Sequence, residues 1–489
     1  MVKKLEELMG SFGRWQTWIF CIIFCINIVG MWQNFSISFL APNVGFHCVN
    51  STDRCFFGNS SLPCTQWEYD TSFYPETIVS KWDLVCDREW LISMVKSSYM
   101  AGFLVSTILF GQISDWIGRF PVLVICYSIT MVSMFLSLLS TSYVMFAALR
   151  FFQALGRIGL TTTGYVLLME VVGEEHRTNV GIYIQFGWSI GFVTLPVIAY
   201  FLRNWISLQL AIFLSFIPLV GAYKILPESP RWLMMQGKAE KLEKLLQKAA
   251  KMNKMEYKKM NLDLLPKHTK ESPKSVLDLF KAPHLRVRTL CMVYLWMVNA
   301  FMYYGLSYNT NDLAGDPYIN FLVSGALEIP SYMLLIWAVK RLGRRPTLVG
   351  FMLAAGIACG AIAVSPNSLP WLATSLAMIG KFCITASFGL LYLYTGELFP
   401  TVVRNVAIGS SSMWGRIGSI IAPFVKELGQ ATHAWLPNVV YGLLAISSGL
   451  LALLLPETKD KKMPDTLEEA AEKEVKPDEL VPLRQNSLK

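Results

Sequence analysis

Apolar residues occur along this chain in about a dozen runs, each close to the roughly 20 residues that a helix needs to cross a bilayer. Polar residues gather in the segments between the runs. The pattern predicts an all-α membrane protein with twelve transmembrane helices. The predicted helices lie near residues 15–40, 91–113, 120–140, 143–170, 179–201, 205–226, 289–308, 317–338, 347–365, 370–394, 405–425 and 435–455.

Two polar segments, 42–90 and 234–288, are much longer than the others. The second contains apolar residues at helical spacing, namely Leu242, Leu245, Leu246 and Ala249. This spacing predicts amphipathic helices on the inner membrane face, the alternative being a plain flexible linker. The predicted organisation is a cytoplasmic N-terminus 1–14, a six-helix half 15–233, a linker 234–288, a six-helix half 289–456 and a charged, disordered cytoplasmic tail 457–489.

Composition supports a membrane location and narrows the choice of partners. Hydrophobic residues make up 53% of the 489 residues, and charged residues make up only 16%, a balance unlike that of soluble domains. The net charge of +9 comes from Lys and Arg in short flanks between the apolar runs. Such flanks are typical of positive-inside topology rather than of a nucleic-acid surface. We therefore expect a lipid bilayer as a partner and no nucleic acid.

The basic flanks also predict the orientation of the chain. Twelve spans put both termini on one side, and the basic segments at the N-terminus, 238–288, 340–345 and 459–462 fall on that side. It should be the cytoplasmic side. The first run is longer than a signal-peptide core and lacks the usual cleavage site, so we expect it to be a retained span. The expected location is the plasma membrane.

Segment 42–90 then faces outwards, and its residues suit an oxidising compartment. Sequons at Asn50 and Asn59 predict glycosylation there. Four cysteines in one outer loop predict two disulfides, in one of three possible connectivities. The disulfide candidates are Cys48, Cys55, Cys64 and Cys86.

The chain repeats itself at an almost constant period. "EVVGEEHRTNVGI" at 170–182 corresponds to "ELFPTVVRNVAIG" at 397–409 with an offset of 227, and "SDWIGRFP" at 114–121 corresponds to "VKRLGRRP" at 339–346 with an offset of 225. "LPESP" and "LPETK" follow the sixth and twelfth runs with an offset of 229. These anchors indicate two parallel, pseudo-symmetric six-helix halves. Such halves are typical of rocking transporters with a substrate site between the halves near the midplane.

Several motifs resemble a known family. "GQISDWIGRFPVL" at 111–123, "PESPRWL" at 227–233 and "YTGELFPTVVRN" at 394–405 look like the signatures of the solute carrier 22 family. That family comprises the organic cation, organic anion and carnitine transporters of the major facilitator superfamily. The similarity extends over the outer loop and "YYGLSYNTNDLAGDPYINF" at 303–321. It implies alternating-access transport of a small organic ion, closest in pattern to the carnitine and organic cation branch.

Charged residues near the ends of the spans indicate a gate. Asp115 and Arg119 can pair when an inner gate is shut. The alternative is that these charges only fix the topology of helix ends. Lys340 occupies the position that matches Asp115, so the repeat is chemically asymmetric there. The predicted gating network consists of Asp115, Arg119, Glu170, Arg177, Glu397 and Arg404.

Arg416 lies in the middle of an apolar run, "SSMWGRIGSIIAPF" at 411–424. An arginine that faces lipid there costs about 2.5–3.5 kcal/mol on insertion scales, so its side chain should face a cavity or a buried partner. Gly415 and Gly418 beside it permit close packing or water entry. We interpret Arg416 as part of a hydrated substrate cleft rather than of a structural ion pair. In the resembling family arginine here marks the anion carriers and the carnitine branch, and its planar fork suits a carboxylate.

Glu328 in "SGALEIPSYM" is a second charge inside a predicted span. Together with Arg416 it favours a zwitterionic or cationic organic solute. Anion carriers of the resembling family tend to have a lysine four residues further on, where this chain has Tyr332. The alternative is that Glu328 only neutralises Arg416 or Lys381.

Aromatic residues are expected to complete the pocket, because aromatic faces bind quaternary ammonium groups. Tyr303 and Tyr304 follow Trp296 at seven and eight residues, so they share one helical face, and the three match cavity positions of the resembling family. The alternative is ordinary packing in the membrane. The predicted substrate-binding residues are Arg416, Glu328, Trp296, Tyr303, Tyr304, Tyr332 and Lys381, with Trp188, Phe388 and Tyr392 as further candidates.

The sequence gives little sign of catalysis. It contains no phosphate-binding loop, no metal-ligand spacing among its five histidines and no nucleophile constellation, so we expect neither an enzyme nor a metal or cofactor. A coupling ion such as Na⁺ or H⁺ is possible. The alternative functions are an organic anion carrier that uses Arg416, a sugar porter, and a sensor or receptor that does not transport.

Overall fold

The structure is a computed structural model that describes residues 8–49, 53–56, 63–222, 225–255, 279–280, 283–366, 368–400 and 403–459. The chain divides into two compact units. The first comprises Met1–Lys270 and Tyr308–Ala326, and the second comprises Glu271–Ser307 and Leu327–Lys489. Each unit contains one copy of the repeated motifs.

The first unit is built almost entirely of helices. Helix α6 packs against both α4 and α5, and α1 packs against α7. Helix α13, which follows the first long helix of the second unit (Pro283–Tyr308) in the chain, also packs against α7. The helices of this unit are α1 (Arg14–Phe35), α2 (Ile37–Leu40), α3 (Ile78–Trp82), α4 (Trp90–Ile117), α5 (Arg119–Leu138), α6 (Tyr143–Val171), α7 (Glu174–Phe201), α8 (Trp205–Phe216), α9 (Leu219–Ala222), α10 (Pro230–Met235), α11 (Ala239–Met252) and α13 (Pro317–Ala326).

The second unit repeats the pattern of long apolar helices. Helix α15 packs against both α16 and α19, and α16 also contacts α14 and α17. The helices of this unit are α12 (Pro283–Tyr308), α14 (Glu328–Leu342), α15 (Arg344–Ala363), α16 (Pro370–Leu398), α17 (Arg404–Ile421), α18 (Phe424–Ala431) and α19 (Leu436–Ala452).

The helices account for the twelve predicted runs. In the described part of the chain, nine stretches are long and apolar enough to cross a membrane, and two shorter apolar stretches, Trp205–Gly221 and Leu436–Ala452, occupy the sixth and twelfth positions. Helix α17, which carries Arg416, occupies the eleventh. The nine longer stretches are Arg14–Leu40, Cys86–Ile117, Arg119–Leu138, Tyr143–Val171, Glu174–Phe201, Leu285–Tyr308, Pro317–Leu342, Arg344–Ala363 and Pro370–Leu398.

A tight turn joins α4 to α5, and an equivalent turn joins α14 to α15. Gly118 and Gly343 form these turns with φ angles of 106° and 100°, a region that side chains with a Cβ rarely adopt. A Cβ on Gly118 would also collide with the Glu228 carboxylate, and one on Gly343 with that of Glu457. Glycine is therefore required at both turns, which fix where α5 and α15 begin.

The predicted outer loop contains a two-stranded antiparallel sheet, β1 (Phe46–Cys48) and β2 (Trp67–Tyr69). The structure selects one of the three possible disulfide connectivities, pairing Cys48 with Cys64 and Cys55 with Cys86. The sequons at Asn50 and Asn59 lie outside the described residues.

The linker begins with α11, whose apolar face packs against the first unit. Leu242, Leu246 and Ala249 are buried there, and Leu245 is half-buried. Asn253 at the end of the helix accepts a hydrogen bond from the backbone N–H of Trp15 at 2.9 Å and donates one to the carbonyl of Met9. Residues 256–278 of the linker and 460–489 of the tail lie outside the described residues.

Candidate functional site

Arg119, the first residue of α5, is the centre of a charge cluster in the first unit. Its guanidinium lies 3.0 Å from the Asp115 carboxylate and donates two hydrogen bonds to Glu170, of 3.0 and 2.9 Å. It also donates to the carbonyl of Ser114. Arg119 is buried and Asp115 is exposed. The two-pronged pair with Glu170 is therefore the stronger of the two ion pairs.

Arg344, the first residue of α15, forms the equivalent cluster in the second unit. It donates two hydrogen bonds of 2.8 Å to Glu397, which also accepts one from Thr458. Sequence reasoning missed Arg344 as a partner. The signal was present, because the repeat offset of 225 carries Arg119 onto Arg344.

The other two arginines of the predicted gating network lie at helix starts. Arg177, in the first turn of α7, contacts Glu174 at 3.6 Å and donates to the carbonyl of Val172 at 3.1 Å. Arg404 is the first residue of α17.

Beside each charge cluster, a second carboxylate caps the N-terminus of a helix. Glu228 accepts hydrogen bonds from the backbone N–H groups of Arg119 and Phe120, at 2.7 and 3.3 Å. Glu457 does the same for Arg344 and Arg345, at 2.9 and 3.0 Å. The repeated "LPES" and "LPET" motifs thus supply the N-terminal caps of α5 and α15, a role that was not assigned from the sequence.

The Glu457 carboxylate has a lowered pKa. Partial burial alone would raise the pKa, but hydrogen bonds from four backbone N–H groups outweigh burial and hold the pKa below its usual range. The carboxylate is therefore ionised at neutral pH and matches the positive end of α15. The four donors belong to Arg344, Lys459, Arg345 and Thr458.

Glu457→Gln is expected to lower the free energy of unfolding by about 1–2 kcal/mol at pH 7, since the amide loses the charge-assisted hydrogen bonds of a partly exposed site. A group whose folded pKa is lowered stabilises the fold above its unfolded pKa and loses this effect as the pH falls. Thermal unfolding of the purified protein should therefore separate wild type from variant at pH 7 and progressively less below about pH 4.5. A pH-independent difference would contradict the charge-based explanation.

The central charges of the second unit form a buried group around Glu328, the first residue of α14. Its carboxylate accepts a hydrogen bond of 2.6 Å from the Tyr303 hydroxyl and lies 3.5 Å from the Lys381 ammonium. Lys381 also donates to the Ser307 hydroxyl and lies 3.3 Å from the centre of the Tyr303 ring. Glu328 is 1% exposed and Lys381 is 2% exposed, so each charge depends on the other for compensation.

An aromatic patch adjoins this ion pair. Trp296 contacts Tyr392 edge to face with ring centres 4.5 Å apart, and its indole N–H donates to Thr395. The Tyr303 ring contacts those of Tyr304 and Phe388 at 5.4 and 5.6 Å. Phe388 in turn contacts Trp296 and Tyr392, so the five rings form one continuous group.

Arg416 reaches the same patch from α17. A Cβ on Gly418 would collide with the Met297 carbonyl, and one on Gly415 would come within 3.3 Å of the Trp296 carbonyl. These glycines therefore let α17 approach α12 closely. The half-buried Arg416 guanidinium interacts with the Tyr392 hydroxyl.

All seven predicted substrate-binding residues belong to the second unit, and the structure brings them together. Tyr332 packs against Gly389 and lies close to Glu328 and Tyr392, which joins the charged group to the aromatic patch. Ser307 and Thr395 are polar members that sequence reasoning missed. Ser307 had a signal, because it lies one helical turn after Tyr303 on the same face.

The first unit contains its own buried arginines. Arg150 donates to the Gln33 carbonyl at 3.0 Å and lies 4.4 Å from the centre of the Tyr99 ring, as expected of a residue that holds α6 against neighbouring helices. Arg157 lies 5.5 Å from the centre of the Trp188 ring. Trp188 therefore belongs to the surroundings of Arg157 in the first unit.

Comparison with known proteins decides the family. The family model described as "Sugar (and other) transporter" matches residues 19–471. The organic cation transporter protein of Drosophila melanogaster is 37% identical over 466 residues, which cover 90% of this chain and 85% of that protein. Solute carrier family 22 member 16 of Xenopus laevis is 35% identical over 430 residues, which cover 85% and 75%. The chain belongs to the solute carrier 22 family.

The fold of this solute carrier is also that of a solved transporter. The crystal structure of a D-xylose–proton symporter matches it with a TM-score of 0.63 at 16% identity, over 91% of this chain and 99% of that one. The predicted major facilitator fold is thereby confirmed. Membership of the family makes the chain a multi-pass membrane transporter of small organic substrates rather than an enzyme. In the described part of the chain, no three His, Cys, Asp or Glu residues gather as metal ligands would.

Proposed function

We propose that this solute carrier moves small organic zwitterions of the carnitine type, and organic cations, across the plasma membrane by alternating access. Both termini lie in the cytoplasm in this proposal. The observation that carries it is the presence of a buried carboxylate, Glu328, and an arginine, Arg416, at one aromatic patch of the second unit. The name of the Drosophila organic cation transporter protein, a relative of this chain, supports the organic cations of the proposal.

The charges of the patch favour a solute that carries both signs. Glu328 and Lys381 lie 3.5 Å apart, and Arg416 adds a further positive charge at the aromatic patch. A substrate carboxylate would accept two parallel hydrogen bonds from its planar guanidinium. The rings around Trp296 would hold a quaternary ammonium group by cation–π attraction, and the dipole of the Glu328–Lys381 pair, whose carboxylate bonds to the Tyr303 hydroxyl, would add a local field at the patch.

An organic anion is the second candidate, because Arg416 and Lys381 are both cationic. Two features count against it. Lys381 already forms an ion pair with Glu328. The position four residues after Glu328, where anion carriers of the family tend to have a lysine, holds Tyr332. Transport of an organic anion is therefore treated as a separate outcome of the uptake experiment described below.

The paired charges at the helix starts are proposed to stabilise one conformation of the transport cycle. Arg119 with Glu170 and Arg344 with Glu397 each form a two-pronged ion pair. Both pairs are partly shielded from water, so opening either one exposes two charges that must be solvated again. Such a pair therefore stabilises the conformation in which it is closed relative to the conformation in which it is open.

Uptake of four radiolabelled probes, namely carnitine, tetraethylammonium, benzoate and xylose, into cells that express the protein tests the proposal. We expect carnitine to enter fastest, tetraethylammonium more slowly, and benzoate at the background rate. Rapid benzoate entry without carnitine entry would establish the anion carrier instead. Entry of xylose alone would favour a sugar porter, and background rates for every probe despite surface expression would favour a sensor.

A further inference from the structure

A surface cavity of about 440 Å³ lies in the first unit, whereas the residues of the proposed substrate site belong to the second. One wall is helix α11 of the linker. The opposite wall is the turn between α4 and α5, which contributes Ile117, Phe120 and Pro121, and Trp232 of α10 completes the lining. The cavity is therefore apolar on one side.

The other side of the cavity is strongly basic. Lys238 lies 4.2 Å from the centre of the Trp232 ring, and Lys244 is paired with Glu240 at 2.8 Å. For Lys241 and Lys248, no carboxylate of the described residues lies within ion-pair distance. Four lysines at spacings of three or four residues share one helical face. The lysines that line the cavity are Lys238, Lys241, Lys244 and Lys248.

The one carboxylate among the residues that line the cavity does not neutralise these lysines. Glu228 accepts hydrogen bonds from the backbone N–H groups of Arg119, Phe120 and Ser229. Its charge is thus used to cap α5. The cavity keeps a net positive charge that calls for an anionic ligand with several negative charges.

The position of the cavity indicates where that ligand comes from. Its apolar wall is the end of one membrane span and the start of the next. Trp116 and Ile117 at this end are 76% and 43% exposed, which fits contact with lipid at the boundary between the headgroups and the acyl chains. In the proposed topology this end faces the cytoplasmic leaflet, where the anionic lipids are found.

We propose that the cavity binds the phosphorylated headgroup of an anionic phospholipid of the cytoplasmic leaflet, with its acyl chains along the apolar rim. The inference rests on the proposed topology and not on the proposed substrate. The basic wall is held in place, because Leu242 and Leu246 bury the opposite face of α11 and Asn253 bonds to Trp15 and Met9. A soluble phosphate would use the lysines but not the exposed apolar rim.

Binding of fluorescent dioctanoyl phosphatidylinositol 4,5-bisphosphate to the purified full-length protein in detergent tests the proposal. We expect saturable binding that phosphatidylcholine does not displace. Inositol trisphosphate, the free headgroup, should compete at least about tenfold more weakly than the lipid, because it lacks the acyl chains. Equal competition by the free headgroup would overturn the lipid assignment.

Two lysines of the same helix provide a matched pair of variants. Lys248→Ala is expected to weaken lipid binding about fivefold, and Lys241→Ala with Lys248→Ala about 30-fold, at the usual contribution of a lysine near an anionic lipid. Lys251→Ala removes an exposed lysine that does not line the cavity and should change binding less than twofold. Equal losses in Lys248→Ala and Lys251→Ala would mean diffuse attraction to a basic surface and would overturn the proposed site. Because the readout is lipid binding, its outcome is independent of which solute is carried.

Discussion

Replacement of Arg416 by Ala is expected to reduce carnitine uptake at low concentration by about 30-fold or more. In the proposed site the half-buried guanidinium receives the substrate carboxylate. Removal of one partner from a buried, hydrogen-bonded ion pair costs about 2–5 kcal/mol, and 2 kcal/mol corresponds to about 30-fold in affinity. The measurement is the initial rate of radiolabelled carnitine uptake, normalised to the amount of protein at the cell surface.

Two further substitutions define what the Arg416 result means. Arg416→Lys keeps the charge but lacks the planar fork, so it should restore only a small part of the uptake. Arg286→Ala removes an exposed arginine near the start of α12 and should leave uptake unchanged. Normal carnitine uptake in Arg416→Ala, at normal surface expression, would show that Arg416 has a structural role only.

Substitutions in the Glu328–Lys381 pair are expected to have the second large effect, and this effect is first seen in the stability of the protein. Lys381→Met alone is expected to lower the free energy of unfolding by about 3–5 kcal/mol, because Glu328 is 1% exposed and would lose its counter-charge. The double variant Glu328→Gln/Lys381→Met removes both charges and should recover most of the loss, since a neutral pair of similar volume is often tolerated. Thermal unfolding of the purified proteins measures both changes.

Transport by the double variant then shows whether the pair only stabilises the fold or also contributes to substrate binding. The double variant lacks the local dipole of the ion pair, whose carboxylate bonds to the Tyr303 hydroxyl of the aromatic patch, so tetraethylammonium and carnitine uptake should stay low although the protein folds. Wild-type uptake by the double variant would mean that the pair only compensates its own charges. A double variant as unstable as Lys381→Met would mean that the two residues do not act as one pair.

Much of the fold was predictable because the bilayer imposes one length on every span. The spacing of apolar runs located the helices, and the repeats divided them into two halves. The break between α13 and α14 was not predicted, although Gly325 and Pro330, two residues that favour an interrupted helix, flank it within the run 317–338. The disulfide pairing was out of reach, because spacing alone does not tell which cysteines approach each other.

The candidate site was predictable as a set of residues but not as a set of contacts. Charged residues inside apolar spans are rare, so Glu328, Lys381 and Arg416 stood out without any structure. Which partner each one meets depends on how the helices are rotated and packed. The sequence therefore left open whether Glu328 compensates Arg416 or Lys381, and the structure places Lys381 at 3.5 Å. Arg344 was missed because it lies at the start of a helix, where a charged residue is common and therefore does not stand out in the sequence.

In the proposed mechanism, Arg416 binds the carboxylate of the solute. Carnitine and choline share a trimethylammonium group, but only carnitine has a carboxylate. The most direct measurement is therefore the inhibition constant of each compound against tetraethylammonium uptake, in wild type and in Arg416→Ala. We expect the substitution to weaken inhibition by carnitine about 30-fold or more and inhibition by choline less than about threefold. Equal weakening of both compounds, or of neither, would contradict it.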